Sequence, residues 1–125
     1  MTRVAIISIV DDDESFRRAA ANFVDSLGYS VETFSSAEEF LRSPRLSETA
    51  CLISDVQMPG MSGVELQDRL LADGYRVPVV FVTAYPETKA SRRALASGAL
   101  GVLNKPFSEA KLISYLDQAV AGRSA

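Results

Sequence analysis

Four places in this chain carry side chains that could do chemistry together. They are the acidic pair Asp11 and Asp12, the single acid Asp55, the hydroxyl of Thr83 and the ammonium of Lys105, each standing at or just beyond the end of a short apolar run. If those runs are strands of one parallel sheet, their carboxyl ends share an edge, which is where open α/β sheets bind ligands. Three carboxylates on one edge are hard to explain as structure, because two unit charges about 4 Å apart repel by roughly 4 kcal/mol at an effective dielectric near 20. One lysine does not offset that. A hard divalent cation held by carboxylates, a backbone carbonyl and water does, and Mg²⁺ takes such oxygen-rich, partly hydrated sites. Without metal the acids titrate as a coupled group.

Such a set suits phosphoryl transfer. Asp55 can attack phosphorus and become an acyl phosphate, while Mg²⁺ neutralises and orients the phosphoryl oxygens that Lys105 and Thr83 also contact. No general base is needed, and the chain has no histidine. That absence also removes His-ligated metals, Ser-His-Asp and Cys-His nucleophilic catalysis, and a phosphohistidine carried on this chain. For Asp55 taken alone the competing reading is an acid that merely opens a loop. Asp13 reads as a helix cap rather than a metal ligand, and Met58 and Met61 read as loop packing.

The elements that must position these groups follow from the pattern along the chain. Residues 3–10 form a near-continuous Val and Ile run, as in a central parallel strand buried on both faces. Asp13, Glu14 and Ser15 then open a helix with Phe16, Ala20, Phe23 and Leu27 at helical spacing and Gly28 as its stop. Residues 29–34 alternate like an edge strand. Ser35 and Ser36, followed by Glu38 and Glu39, offer overlapping capping boxes for a short helix through Leu41, closed by Pro44. Residues 50–54 form an inner strand, and Pro59, Gly60 and Gly63 punctuate the loop after Asp55. Ser62 and Glu65 cap a helix through about Leu71, with Gly74 behind it. Residues 77–82 form a strand ending at Thr83, and Tyr85-Pro86 introduces an Ala-rich helix that stops near Gly98. Residues 100–103 form the fifth strand. Phe107 and Leu112 flank Ser108 as a hydrophobic staple, and Leu112, Ile113, Leu116 and Val120 give the last helix its apolar face. Strands alternating with helices imply right-handed crossovers and a doubly wound α/β sheet with helices on both faces.

Composition fits a single domain over residues 1–125. With 47% apolar residues and a net charge of -3, the sequence reads as soluble and globular. Its 13 Lys and Arg are scattered, which disfavours nucleic-acid binding by this segment. The longest apolar run is too short to span a bilayer and does not look like a cleavable signal, so a cytoplasmic address is expected. The single cysteine, Cys51, sits in an apolar run and reads as a packed small hydrophobe. Residues 121–125 read either as a terminus or as the start of a linker.

Taken together, Asp11-Asp12, the DVQMPGMSG stretch beginning at Asp55, Thr83-Ala84 and Lys105-Pro106-Phe107 resemble the receiver domain of two-component response regulators, in register over essentially the whole chain. The resemblance implies a flavodoxin-like (βα)5 sheet of strand order 2-1-3-4-5 with a cis Lys105-Pro106 peptide. It implies Asp55 as phosphoacceptor, Asp12 as direct Mg²⁺ ligand, Asp11 as a ligand through water and the Gln57 backbone carbonyl as a further ligand. Thr83 would be the switch hydroxyl, and Lys105 would bind the phosphoryl group. The donor would be a phosphohistidine on a sensor histidine kinase or a histidine phosphotransfer protein. Catalysis would be limited to self-catalysed phosphotransfer and slow autodephosphorylation, and a homodimer on phosphorylation is compatible with the family. Residues 64–66 and the lysine region look like receivers that precede helix-turn-helix output domains. One departure stands out: the family often has Tyr or Phe three residues before the lysine, where this chain has Val102. The expectation is that Thr83 still closes on phosphate while the output face responds through packing around Val102 and Tyr85.

Two other readings compete. An Mg²⁺-dependent phosphohydrolase also passes through an aspartyl phosphate, but it predicts a second acid two residues after the nucleophile, where Gln57 stands, and a substrate cap domain. A degenerate receiver acting only as an interaction domain would not need the complete acid, hydroxyl and lysine set.

Overall fold

A computed structural model describes residues 4–124, so the sequence expectations that fall on Arg3 and Ala125 lie outside the described residues. The strands are β1 (Ile6–Val10), β2 (Ser30–Phe34), β3 (Thr49–Asp55), β4 (Val79–Thr83) and β5 (Gly101–Asn104). The helices are α1 (Glu14–Ser26), α2 (Ala37–Leu41), α3 (Gly63–Ala72), α4 (Lys89–Ala96) and α5 (Glu109–Ser124). All strand pairings are parallel, as the alternating pattern predicts, and the order is β2-β1-β3-β4-β5, the flavodoxin-like arrangement that the resemblance implies. Among the described residues no helix is long and apolar enough to cross a membrane.

The two-residue alternation of strand side chains splits the core into two layers. Ile7, Ile9, Cys51, Ile53, Val80, Val82 and Leu103 pack with Ala20 and Val24 of α1 and Leu112, Leu116 and Ala119 of α5. Val10, Leu52, Val79 and Phe81 pack on the other face with Phe40 of α2, Leu66 and Leu70 of α3 and Ala94 of α4. Cys51 is fully buried in the α1/α5 layer, and burial pushes its thiol up to about 12, so it stays an unreactive apolar filler at neutral pH.

Several boundaries differ from the sequence pattern, each for a local reason. The first strand begins at Ile6, where the register to Ser30 starts, and Val4 is exposed. In α1, Leu27 is a half-exposed C-cap, and Val24 supplies the buried contact instead. A 3-10 turn over Leu46–Glu48 precedes β3 without a side-chain cap to announce it. Asp55 is the last residue of β3 rather than the first of the loop. The largest shift concerns α4. Tyr85-Pro86 does not open it; Thr88 does, its hydroxyl accepting from the Ser91 amide at 3.2 Å. The residues between are held by side chains, with the Tyr85 amide bonded to Thr83 Oγ1 at 3.1 Å and the Tyr85 carbonyl accepting from Ser91 Oγ at 3.3 Å. In α5, Ala119 is buried alongside Leu112 and Leu116, while Ile113 and Val120 are half-buried.

Candidate functional site

The alternation that builds the core also gathers the charges. Ile7 and Ile9 are followed in phase by Asp11, Cys51 and Ile53 by Asp55, and Leu103 by Lys105, which puts the three charged groups at one edge on the α1/α5 side of the sheet. The structure brings Asp11, Asp12 and Asp55 together, with one carboxylate oxygen from each lying within 4.8 Å of the others. Lys105 Nζ stands between two of them, 2.8 Å from Asp11 Oδ2 and 3.1 Å from Asp55 Oδ2. The Lys105-Pro106 peptide is cis, as expected.

Each acid has a different environment. Asp11 is buried, and Asp12 is exposed. Asp11 Oδ1 accepts from the Asp13 amide at 2.9 Å, and the Asp11 carbonyl accepts from Arg17 at 2.6 Å. Burial pushes the Asp11 carboxyl above the usual aspartate value; the Asp13 amide and Lys105 offset this only in part, and the charge on Asp55 adds to it. For Lys105, burial alone lowers the pKa, but its contacts with Asp11 and Asp55 outweigh that, and the ammonium is held above its usual value. Its head also lies 4.6 Å from the centroid of Phe16, a cation–π contact.

Asp55 is held from behind. Its Oδ1 accepts from the Gln57 amide at 3.2 Å, and its carbonyl accepts from Ser54 Oγ at 2.9 Å. Gly63 closes this region. A Cβ there would stand 2.0 Å from the Asp55 carbonyl oxygen, 2.9 Å from the Phe81 ring and 3.0 Å from Ser54 Oγ, so the residue that starts α3 must be glycine for the helix to sit against the strand end. The Ser62–Glu65 capping box fixes that helix start.

The residues fit a divalent cation. Three acids face a single ammonium, and among the described residues the buried Asp11 Oδ2 has no partner besides Lys105. Hard oxygen donors with surplus negative charge are what Mg²⁺ requires.

Thr83 belongs to the other phase of the alternation. It follows Val79 and Phe81, whose side chains face α3 and α4, and it is buried, as is the start of the Thr88–Ser91 cap of α4 at Ser91. Thr83 is thus on the strand next to Asp55 but in phase with the α4 side. Val102 pairs with Phe81 and packs half-buried on that same face, while Tyr85 is 69% exposed. An open depression of about 550 Å³ lies beside Tyr85, lined by residues 84–88, Asn104 and Lys105.

Four residues shape the site in ways the sequence does not assign: Phe16, Gly63 and Glu38 read there only as helix, loop and cap residues, and Arg17 carries no signal. Arg17 holds the Asp11 carbonyl, Phe16 underlies Lys105, Gly63 permits the close approach, and Glu38 on α2 accepts from the Met61 amide at 3.2 Å. Gly63 carried a signal as the residue after a capping serine. The other three make contacts across elements, which no local pattern announces.

This sheet order, with an acid cluster and a lysine at its carboxyl edge, is matched by known proteins. The family model for the response regulator receiver domain matches residues 7–117, and the chain belongs to that family, the phosphoacceptor signalling domains of two-component systems. It is 37% identical over 118 residues to the response regulator protein TodT of Pseudomonas putida, covering 94% of this chain and 52% of that protein. It is 38% identical over 109 residues to nodulation protein W of Bradyrhizobium diazoefficiens, covering 87% of this chain and 48% of that one. The chain therefore spans about half the length of these relatives. Among solved structures, the response regulator StyR superposes with a TM-score of 0.86 at 40% identity, covering 95% of this chain and 60% of that one. The FixJ-N structure gives 0.85 at 28% identity, with 96% of each chain covered. Nothing in these likenesses supports the phosphohydrolase reading.

Proposed function

We propose that Asp55 is the phosphoacceptor of this receiver, that Lys105 and Thr83 bind the transferred phosphoryl group, and that residues 1–125 act as one such module. The observation that carries this is the single edge where Asp11, Asp12 and Asp55 lie within 4.8 Å of one another with Lys105 bridging two of them. An Asp55 oxygen attacks phosphorus; the new O–P bond forms as the N–P bond of a donor phosphohistidine breaks, and its electron pair leaves on the imidazole nitrogen. Lys105, already 3.1 Å from Asp55, shifts its ammonium to the incoming oxygens. Asp12, Asp55 and the Gln57 carbonyl, with Asp11 through water, would hold Mg²⁺, which supplies charge neutralisation and orientation of those oxygens.

Thr83 gives up the Tyr85 amide when its hydroxyl turns to the phosphoryl group, and the strain passes to the start of α4 through Tyr85 and Ser91 and to the packing around Val102. Turnover is confined to self-catalysed phosphotransfer and slow autodephosphorylation. The donor is a sensor histidine kinase or a histidine phosphotransfer protein, and the relatives, among them the transcriptional regulatory protein FixJ, favour a whole protein that controls transcription through an output domain. A homodimer formed on phosphorylation would suit that role. The free, buried Cys51 suits a reducing, cytoplasmic compartment.

Incubation with acetyl phosphate and Mg²⁺, followed by intact mass, tests the reading. One labile phosphoryl adduct, absent in Asp55→Asn, is expected. An adduct that persists in Asp55→Asn would place the acceptor elsewhere.

A further inference from the structure

The loop between β3 and α3 carries both Asp55's backbone partner Gln57 and the carbonyl assigned above to the metal, and one of its ties comes from outside that segment. Glu38, in the first turn of α2, places Oε2 3.2 Å from the Met61 amide, 23 residues along the chain. The same oxygen sits 2.8 Å from where a Cβ on Gly60 would be, and Gly60 has φ +75, a backbone conformation that calls for glycine and lets the carboxylate lie close against the loop. Glu38 is half-buried, and its helix is seated by fully buried Ala37 and Phe40, so the carboxylate is presented from a fixed base.

Between this tie and Gln57 the chain has little freedom. Met58 is buried in the core, Pro59 fixes its own φ, and Val56 is buried with its carbonyl accepting from the Gly63 amide at 2.9 Å. A loop pinned at Val56, Met58 and Met61 holds the carbonyl of the exposed Gln57 between them. The sequence pattern offers Glu38 for a capping box with Ser35, but in the structure Glu39 takes that part, its carboxylate accepting from Ser35 Oγ at 3.1 Å and its amide bonding Ser36 Oγ at 3.1 Å. Glu38 is thereby left for the loop.

We propose that Glu38 is a positioning residue for phosphoryl transfer: by holding the Met61 amide it sets the acceptor loop, and with it the Gln57 carbonyl, in the geometry that binds Mg²⁺. This rests on the assignment of Asp55 and Mg²⁺ above. Outer partners of metal ligands contribute on the order of ten- to a hundredfold in affinity or activity, and Glu38 acts one step further out, so the lower end of that range applies.

The test compares Glu38→Ala, Glu38→Gln and Glu38→Asp with the unaltered chain. Mg²⁺ affinity is measured by titrating backbone amide NMR shifts with MgCl₂ in the absence of any phosphodonor, and phosphorylation by acetyl phosphate is followed by intact mass over a range of Mg²⁺ concentrations. Glu38→Ala is expected to weaken Mg²⁺ binding roughly tenfold and to raise the Mg²⁺ concentration for half-maximal rate in proportion, while the rate at saturating Mg²⁺ changes little. Glu38→Gln keeps an amide oxygen as acceptor and is expected to stay within about threefold of the unaltered chain. Glu38→Asp, one methylene shorter, is expected to behave like Glu38→Ala. Thermal unfolding separates a merely structural effect: a variant with a lower Tm but unchanged Mg²⁺ affinity overturns the proposal, as do equal losses in Glu38→Gln and Glu38→Ala. If the unaltered chain binds Mg²⁺ but forms no adduct, the phosphoacceptor assignment fails on its own and the metal titration still decides the role of Glu38. If the unaltered chain binds no Mg²⁺, both fall.

Discussion

The loops after β3 and β4 leave neighbouring strands at one edge of the sheet, and they are secured in different ways. The first is wedged: Val56 and Met58 are buried, Gly63 fits against the Asp55 carbonyl with no space for a methyl, the Ser62–Glu65 box fixes the helix that follows, and Glu38 holds it from α2. The second is strung between hydroxyls. Tyr85 hangs on Thr83 Oγ1 through its amide and on Ser91 Oγ through its carbonyl, its ring is mostly exposed, and an open depression lies beneath. The charged groups stand in phase with the α1/α5 core, and Thr83 with Val102 sits in phase with the α4 face. A nucleophile needs a fixed position to react, whereas a reporter must have two arrangements close in energy. On the proposed function, each role falls on the loop whose packing suits it.

The contrast can be broken most severely at Gly63. Gly63→Ala forces a methyl into the Asp55 carbonyl, and we expect a loss of about 3 kcal/mol, seen as a Tm lower by on the order of 10 °C in thermal unfolding. Next comes the metal. Saturating Mg²⁺, at about a hundred times its Kd, is expected to raise stability by roughly 2.7 kcal/mol because only the folded chain gathers the three acids, and Asp12→Asn is expected to remove most of that gain in the same thermal scans.

A smaller effect is expected at the helix start. Ser62→Ala should cost about 1 kcal/mol by chemical denaturation. The backbone and side chain of Ser62 hold the exposed Glu65 carboxyl below its ordinary value of 4.5. A carboxyl lowered in the folded state stabilises above its unfolded pKa and loses that contribution as pH falls through the folded value. The box should therefore weaken as pH drops below about 4.5, and the wild-type advantage over Glu65→Gln should shrink there. The least effect belongs to the looser loop: Tyr85→Ala should change stability by no more than about 0.5 kcal/mol, and a loss comparable to Gly63→Ala would erase the distinction.

How much of this was legible from residues alone differs between the same two loops. The strand ends could be read because apolar runs stop abruptly at Asp11, Asp55, Thr83 and Lys105, and a parallel sheet must bring such ends to one edge. The capping box at Ser62 and Glu65 is local, so its pattern is its structure. Thr88 is outweighed in the sequence by Tyr85-Pro86, because proline is a strong helix-start signal and the hydroxyl bonds that keep residues 84–87 out of the helix form only once Thr83 and Ser91 are near one another. The roles of Glu38, Arg17 and Phe16 were illegible for the same reason: each reaches a partner on another element, and sequence periodicity carries no information about that meeting.

The division between a fixed acceptor loop and a responsive β4–α4 loop is tested most directly by amide hydrogen exchange of the chain with Mg²⁺, with and without a phosphate mimic bound at Asp55. We expect protection at the start of α4, from Thr88 through Ser91, and in β5 around Val102 to change, while α3 from Gly63 to Ala72 exchanges as before. Unchanged α4 and β5 together with altered exchange in α3 would contradict the account.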